Sequence, residues 1–173
     1  MSKLNAPIRD FIEEALKLEI NGQAFFNRAA EVTRQELGKK MFLRLAGEEA
    51  RHLEDFSRLF SSILRSDDWK KLVNRERLRG SSPVIEELAA RMKRAESKGD
   101  IEALRMGMEL ELKAIDLFKG CAQKTEELAA KEIFLKISEE EKFHYDLLQA
   151  QVDSLTDTGF WLDSSEFQMD GKF

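Results

Sequence analysis

Glu49-Ala50-Arg51-His52 and Glu141-Lys142-Phe143-His144 repeat one spacing, Glu-x-x-His, and between them use both histidines of the 173-residue chain. On a helix, residues three apart share a face, so each stretch sets a carboxylate beside an imidazole. A shift of 92 residues (141 − 49) lays one half of the sequence on the other without a gap. Leu18 falls on Leu110, Glu19 on Glu111, Phe26 on Phe118, Ala30 on Ala122, Thr33 on Thr125, Phe42 on Phe134, Leu43 on Leu135, Glu48 on Glu140 and His52 on His144. The chain is an internal repeat of two helical hairpins.

The apolar pattern agrees. Over 8–34, apolar and small residues recur at Ile8, Ile12, Ala15, Gly22, Phe26 and Ala29, with Glu19 interrupting the stripe. Steps of three and four predict a helix with one buried face. Thr33-Arg34-Gln35-Glu36 has the form of a capping box that ends this helix and starts the next. That second helix is expected to reach about residue 64, its stripe running Phe42, Leu45, Glu49, His52, Phe56, Leu59 and Ile63. Residues 66–99 break the pattern: short helices are expected over 67–78 and 84–96 around the turn Gly80-Ser81-Ser82-Pro83, making a long crossover. A third helix at about 101–124 carries Leu104, Gly107, Glu111, Ala114, Phe118 and Cys121. A fourth at about 125–155, capped by Thr125, carries Phe134, Ile137, Glu141, His144, Leu148 and Leu155. The expected fold is an all-α antiparallel four-helix bundle over 1–157, followed by an aromatic tail at 158–173 whose Phe160, Trp161 and Phe167 dock on the bundle or on a second subunit.

Distance from the turn sets height in such a hairpin. Glu19 lies 16 residues before a turn at Gln35 and Glu49 lies 14 after it, while Glu111 and Glu141 each lie 15 from a turn at Glu126. At ~1.5 Å per residue the heights in the first hairpin differ by about 3 Å, and those in the second agree. Four carboxylates and two imidazoles therefore converge at mid-height, with Ala15, Gly22, Gly107 and Ala114 leaving room around them. Burying four carboxylates without counter-charge costs many kcal/mol or forces protonation, and the stripes contain no lysine or arginine. Two divalent cations would balance the four negative charges, each taking one imidazole. Oxygen and nitrogen donors without sulfur suit iron or manganese, with zinc as a substitute in recombinant protein. A Glu from each of two helices with Glu-x-x-His from each of the other two is the di-iron carboxylate arrangement of helical bundles.

Composition narrows the alternatives. Hydrophobic residues make up 42% and charged residues 35% of the chain, with only two prolines, which suits one helical globular domain. A net charge of −5 argues against nucleic acid as a partner, and the basic run at 70–79 is expected to be a solvated face. The one cysteine, Cys121, excludes an internal disulfide and a four-cysteine metal site in this chain. With no signal-peptide-like start and no span-length apolar segment, a cytoplasmic protein without a membrane partner is expected.

At Ala15-Leu16-Lys17-Leu18-Glu19 with Phe26, at Leu45-Ala46-Gly47-Glu48-Glu49-Ala50-Arg51-His52, at Met108-Glu109-Leu110-Glu111 and at Glu139-Glu140-Glu141-Lys142-Phe143-His144, the sequence resembles the rubrerythrin family of the ferritin-like superfamily. The resemblance spans about 8–157. It implies a di-iron centre bridged by Glu49 and Glu141, with Glu19 and Glu111 as terminal ligands and His52 and His144 one to each iron. It further implies reduction of hydrogen peroxide to water with electrons from an external donor, for which a rubredoxin-like protein is expected; dioxygen is the other oxidant expected, and the aromatic tail suggests a subunit contact and a homodimer. Two departures stand out: the rubredoxin module of full-length members is excluded by the single cysteine, and Phe26 and Phe118 stand where tyrosine is common. Manganese catalase-like disproportionation would use the same ligands, and an iron carrier or ferroxidase without a reductive partner is the rival from another class.

The remaining polar and reactive residues have plainer readings. Glu48, Glu54, Glu140 and Asp146 are expected on solvated faces, Cys121 in the core, and Met92, Met106 and Met108 in packing. Glu109, two residues from Glu111, points elsewhere on its helix. Tyr145, the sole tyrosine, points about 100° from His144, which argues against a tyrosyl radical.

Overall fold

The computed structural model describes residues 6–67, 90–91, 99–165 and 167. Their architecture is four long helices and no strand: α1 (Ala6–Val32), α2 (Glu36–Leu64), α3 (Gly99–Lys124) and α4 (Leu128–Asp157). The all-α four-helix bundle expected from the repeat is what forms. The short crossover helices, the turn at 80–83, the basic run at 70–79 and Met92 lie outside the described residues, as does the side chain of Ile8.

α1 packs along α2 and α3 along α4, and the two hairpins join mainly through α1 against α3, with α2 meeting α4. The α1–α3 approach is close because Gly107 offers no side chain: a Cβ there would sit 3.2 Å from the Phe26 ring and 3.1 Å from Leu148.

Both interhelical turns differ from the expected capping. Thr33 does not cap α2; its backbone N–H and its hydroxyl both donate to the Ala29 carbonyl, closing α1 instead. The residue entering α2 is Gln35, whose side chain makes no capping bond. Likewise α4 starts at Leu128 after Glu127, and the Thr125 hydroxyl accepts the Glu127 N–H within the turn. In each case the threonine lies too far ahead of the first helical turn for its oxygen to reach the free N–H groups. At the far end of α2, Arg65 closes the helix in the left-handed conformation, φ 49°, its N–H donating to the Ser62 carbonyl.

The interior is two apolar clusters with a polar layer between them. One gathers Leu16, Phe56, Phe118, Phe134 and Ile137; the other gathers Phe26, Phe42, Leu45, Leu104 and Leu148. On α2, α3 and α4 the change from one cluster to the other falls at residues singled out from the sequence, Glu49 to His52, Glu111, and Glu141 to His144; on α1 it falls just after Glu19, between Ile20 and Phe25. Phe56, Phe118 and Phe134 stack as a floor on one side, with ring centroids 5.2 to 6.5 Å apart. Ile63, placed on the α2 stripe by periodicity, is 39% exposed near the helix end, where less of the bundle remains to cover it.

Beyond α4 the chain folds back over α2. Trp161 is buried edge-on to Phe42, and Phe167 packs on Phe143. Phe160, expected to dock with them, is 75% exposed. Arg44 of α2 holds the returning segment by donating to the carbonyls of Ser164, at 2.5 Å, and Phe167, at 3.4 Å, while its guanidinium lies over the Phe143 ring.

Candidate metal centre

Each hairpin contributes three side chains to the polar layer: Glu19 from α1 with Glu49 and His52 from α2, then Glu111 from α3 with Glu141 and His144 from α4. All six are buried, none more than 4% exposed. The structure brings together every residue the sequence nominated. They form two overlapping groups, Glu19 with Glu49, His52 and Glu141, and Glu49 with Glu111, Glu141 and His144, with candidate ligand atoms in each group within 4.8 Å of one another. Glu49 and Glu141 belong to both.

The imidazoles face this layer through Nδ1. His52 Nδ1 lies 3.2 Å from Glu19 and 3.1 Å from Glu141; His144 Nδ1 lies 2.9 Å from Glu141, 3.3 Å from Glu49 and 3.4 Å from Glu111. Several of the facing atoms have no hydrogen-bond partner: Glu19 Oε1, Glu49 Oε1, Glu111 Oε1, both oxygens of Glu141 and His144 Nδ1. Buried carboxylate oxygens left so are costly unless something positive joins them. Oxygen acceptors and imidazole nitrogens converging from four helices, without sulfur, are a donor set fit for a pair of borderline or hard divalent cations.

The protonation behaviour follows from crowding. Burial, and then repulsion from Glu49 and Glu141, hold the Glu19 carboxyl well above the usual carboxylate range; burial and Glu141 do the same to Glu111. Burial also opposes ionisation of Glu141, but two imidazoles outweigh it and its pKa is lowered. The two histidines are raised well above the ordinary imidazole range, since burial, which disfavours their charge, is outweighed by the carboxylates around them. Without metal the layer therefore holds protons where cations would sit.

Two residues that the sequence placed on solvated faces belong to the centre's surroundings. Glu140 is buried and accepts the Nε2–H of His52 at 2.7 Å; Glu48 accepts that of His144 at 2.6 Å. Burial opposes ionisation of Glu48, but His144 and Arg44 bring its pKa down to about 2. The signal that could have found them was their register, since Glu48 and Glu140 are themselves a matched pair in the 92-residue shift (140 − 48). Glu54 and Asp146 are exposed, as expected. Glu109 is exposed and held by both oxygens on Arg91, at 2.9 and 3.0 Å, away from the layer. Cys121 is a buried thiol pushed up to about 12 by burial.

A family model described as Rubrerythrin matches residues 10–152, a range that reaches into all four helices and includes the six clustered side chains. Comparison with curated proteins and with solved structures gives no significant match.

Proposed function

Because this chain belongs to the rubrerythrin family, di-iron carboxylate proteins of the ferritin-like superfamily, we propose that it is a di-iron oxidoreductase reducing hydrogen peroxide, or dioxygen, to water with electrons from an external donor. The observation that carries the reading is the set of unpartnered buried oxygens on Glu19, Glu49, Glu111 and Glu141 beside two imidazole Nδ1 atoms. In this reading Glu19, Glu49, His52, Glu111, Glu141 and His144 would hold the metal pair, with Glu49 and Glu141 common to both groups of side chains. Such a metal pair supplies the two electrons that, with two protons, convert one peroxide to two waters.

What the chain itself contributes is enclosure and charge. Glu19, Gly22, Phe26, Glu49, Glu111 and Ala114 line a recess of about 10 Å³ between α1 and α3, room for roughly one water-sized molecule. A recess that small bars a bulky organic substrate. The phenylalanine floor and the second apolar cluster keep bulk water from the layer. The single cysteine of this chain cannot make a four-cysteine iron site, and a one-electron carrier such as a rubredoxin-like protein fits the need for electrons. No helix among the described residues is long and apolar enough to cross a membrane, and the proposed setting is the cytoplasm, with the protein acting as a homodimer.

The test is turnover. Anaerobically reduced, iron-loaded protein mixed with peroxide should consume it in proportion to added reductant and develop an oxo-bridged ferric absorption band. Oxygen evolution without reductant would indicate disproportionation instead, and iron uptake with no peroxide consumption would indicate storage or transport.

A further inference from the structure

The segment beyond α4 reaches the surroundings of the polar layer from one side. Gln151, fully buried on α4, grips it twice, its amide donating to the Leu162 carbonyl at 3.0 Å and its side-chain oxygen accepting the Leu162 N–H at 2.9 Å. Two aromatic anchors follow. The Phe167 ring lies 5.4 Å from Phe143, whose own ring is 6.5 Å from that of His144. Trp161 lies 6.0 Å from Phe42, which stacks on Phe26, a residue lining the recess beside Glu49. Arg44 joins segment and layer, one nitrogen donating to the Ser164 and Phe167 carbonyls and another to Glu48, the partner of His144.

The repeat gives His52 no equivalent. Arg51 stands where Phe143 would be (143 − 51 = 92), Lys136 where Arg44 would be (136 − 44 = 92) and Leu59 where Gln151 would be (151 − 59 = 92). Arg51 and Lys136 are each about half exposed and pair with Glu140, and among the described residues neither bonds to the tail.

Taking the metal-centre reading as given, we propose that the tail is a strap controlling one metal position of the two: its docking raises affinity at the group containing His144 and leaves the group containing His52 to the helices alone. With the strap released, Arg44 loses two carbonyl acceptors and Phe143 loses its cover, so the side chains flanking His144 gain rotamers that binding of an ion must remove again. With the strap docked, that freedom is already gone. Linkage requires the converse, that an ion beside His144 holds the strap down by the same factor. Two positions matched in sequence are thereby made unequal, and the state of the tail reports the occupancy of one of them.

The experiment uses the full chain as wild type, Gln151→Leu, Phe167→Ala and the double variant, each metal-stripped and then titrated with Zn²⁺. Hydrogen exchange read by mass spectrometry follows the backbone over 158–167, and ¹⁵N NMR of the two imidazoles follows each position separately. In wild type, Zn²⁺ should slow exchange of the segment by about fivefold or more. The double variant should lose at least about that factor of affinity at His144 while His52 titrates as in wild type, and the single variants should fall between. Exchange of the segment unchanged by Zn²⁺, equal losses at the two positions, or wild-type affinity at both in the double variant would each overturn the proposal. Failure of wild type to take up Zn²⁺ at all would instead overturn the metal-centre reading and this inference with it.

Discussion

His52 and His144 stack across the centre of the bundle with ring centroids 5.8 Å apart and planes 21° from parallel. Glu141 lies against both Nδ1 atoms, Oε1 at 3.1 Å from His52 and Oε2 at 2.9 Å from His144, so one carboxylate spans the two halves. Glu141→Ala should therefore abolish binding of both metal ions, whereas Glu111→Ala should remove chiefly the one on the His144 side. Metal content after gel filtration distinguishes the two outcomes. Equal losses would argue against a shared Glu141.

Removing a buried carboxylate should also stabilise the empty protein. Glu19 carries the burdens of burial and of repulsion from Glu49 and Glu141, so Glu19→Gln should raise the melting temperature of the stripped chain while weakening metal uptake. For a chain of this size each kcal/mol relieved corresponds to about 2 to 4 °C. Thermal melts with and without Zn²⁺ should show the two effects moving in opposite directions, the trade expected where function imposes strain on a core.

The stripped protein should lose stability as pH rises. Glu19, Glu111, His52 and His144 all hold their protons more tightly folded than unfolded. Their contribution is complete below the unfolded pKa values and disappears as pH climbs through the folded ones. The lowered pKa values of Glu48, Glu140 and Glu141 act in the other direction, and their contribution is lost only on acidification. As pH rises above the ordinary imidazole range, stripped protein should therefore melt progressively lower, while Zn²⁺-loaded protein, freed from proton competition, should not. Scanning calorimetry of both forms checks the sign.

Gly22 separates fold from site. A Cβ there would lie 3.2 Å from Glu49 Oε2 and 3.3 Å from its carboxyl carbon, close enough to displace the carboxylate by a few tenths of an ångström. In empty protein the side chain can yield, and Gly22→Ala should gain up to about 1 kcal/mol from helix propensity. Metal affinity should fall, because the displaced Glu49 carboxylate belongs to both ligand groups. Calorimetric titration with Mn²⁺ beside a melt of the empty protein reads both.

The returning tail should matter to stability as much as a core residue does. Trp161 packs on Phe42, and a Cβ at Gly38 would come within 2.7 Å of both the Trp161 ring and Thr33. Trp161→Ala should cost about 3 kcal/mol. Gly38→Ala should also destabilise, since a rigid indole cannot yield as a flexible side chain can. Urea denaturation of each variant gives the values.

The fold and the cluster were legible because two independent periodicities agreed: apolar stripes at helical spacing, and a 92-residue repeat that set Glu19, Glu49 and His52 in register with Glu111, Glu141 and His144. Heights counted from the turns sufficed to bring them together, since a hairpin's geometry depends on little else. Glu48 and Glu140 escaped because a stripe records which residues face their own hairpin, while these two reach across to the other one. The threonine caps were misplaced for a related reason. A capping box is a local pattern, and the three-residue turns let Thr33 bond backward to Ala29 without reaching the next helix.

The most direct test of the central claim is anomalous diffraction at the iron edge from crystals of iron-loaded protein. Two peaks should appear in the polar layer, both against Glu49 and Glu141, one beside His52 Nδ1 and the other beside His144 Nδ1. A layer without anomalous signal, or iron bound only at the protein surface, would contradict the account.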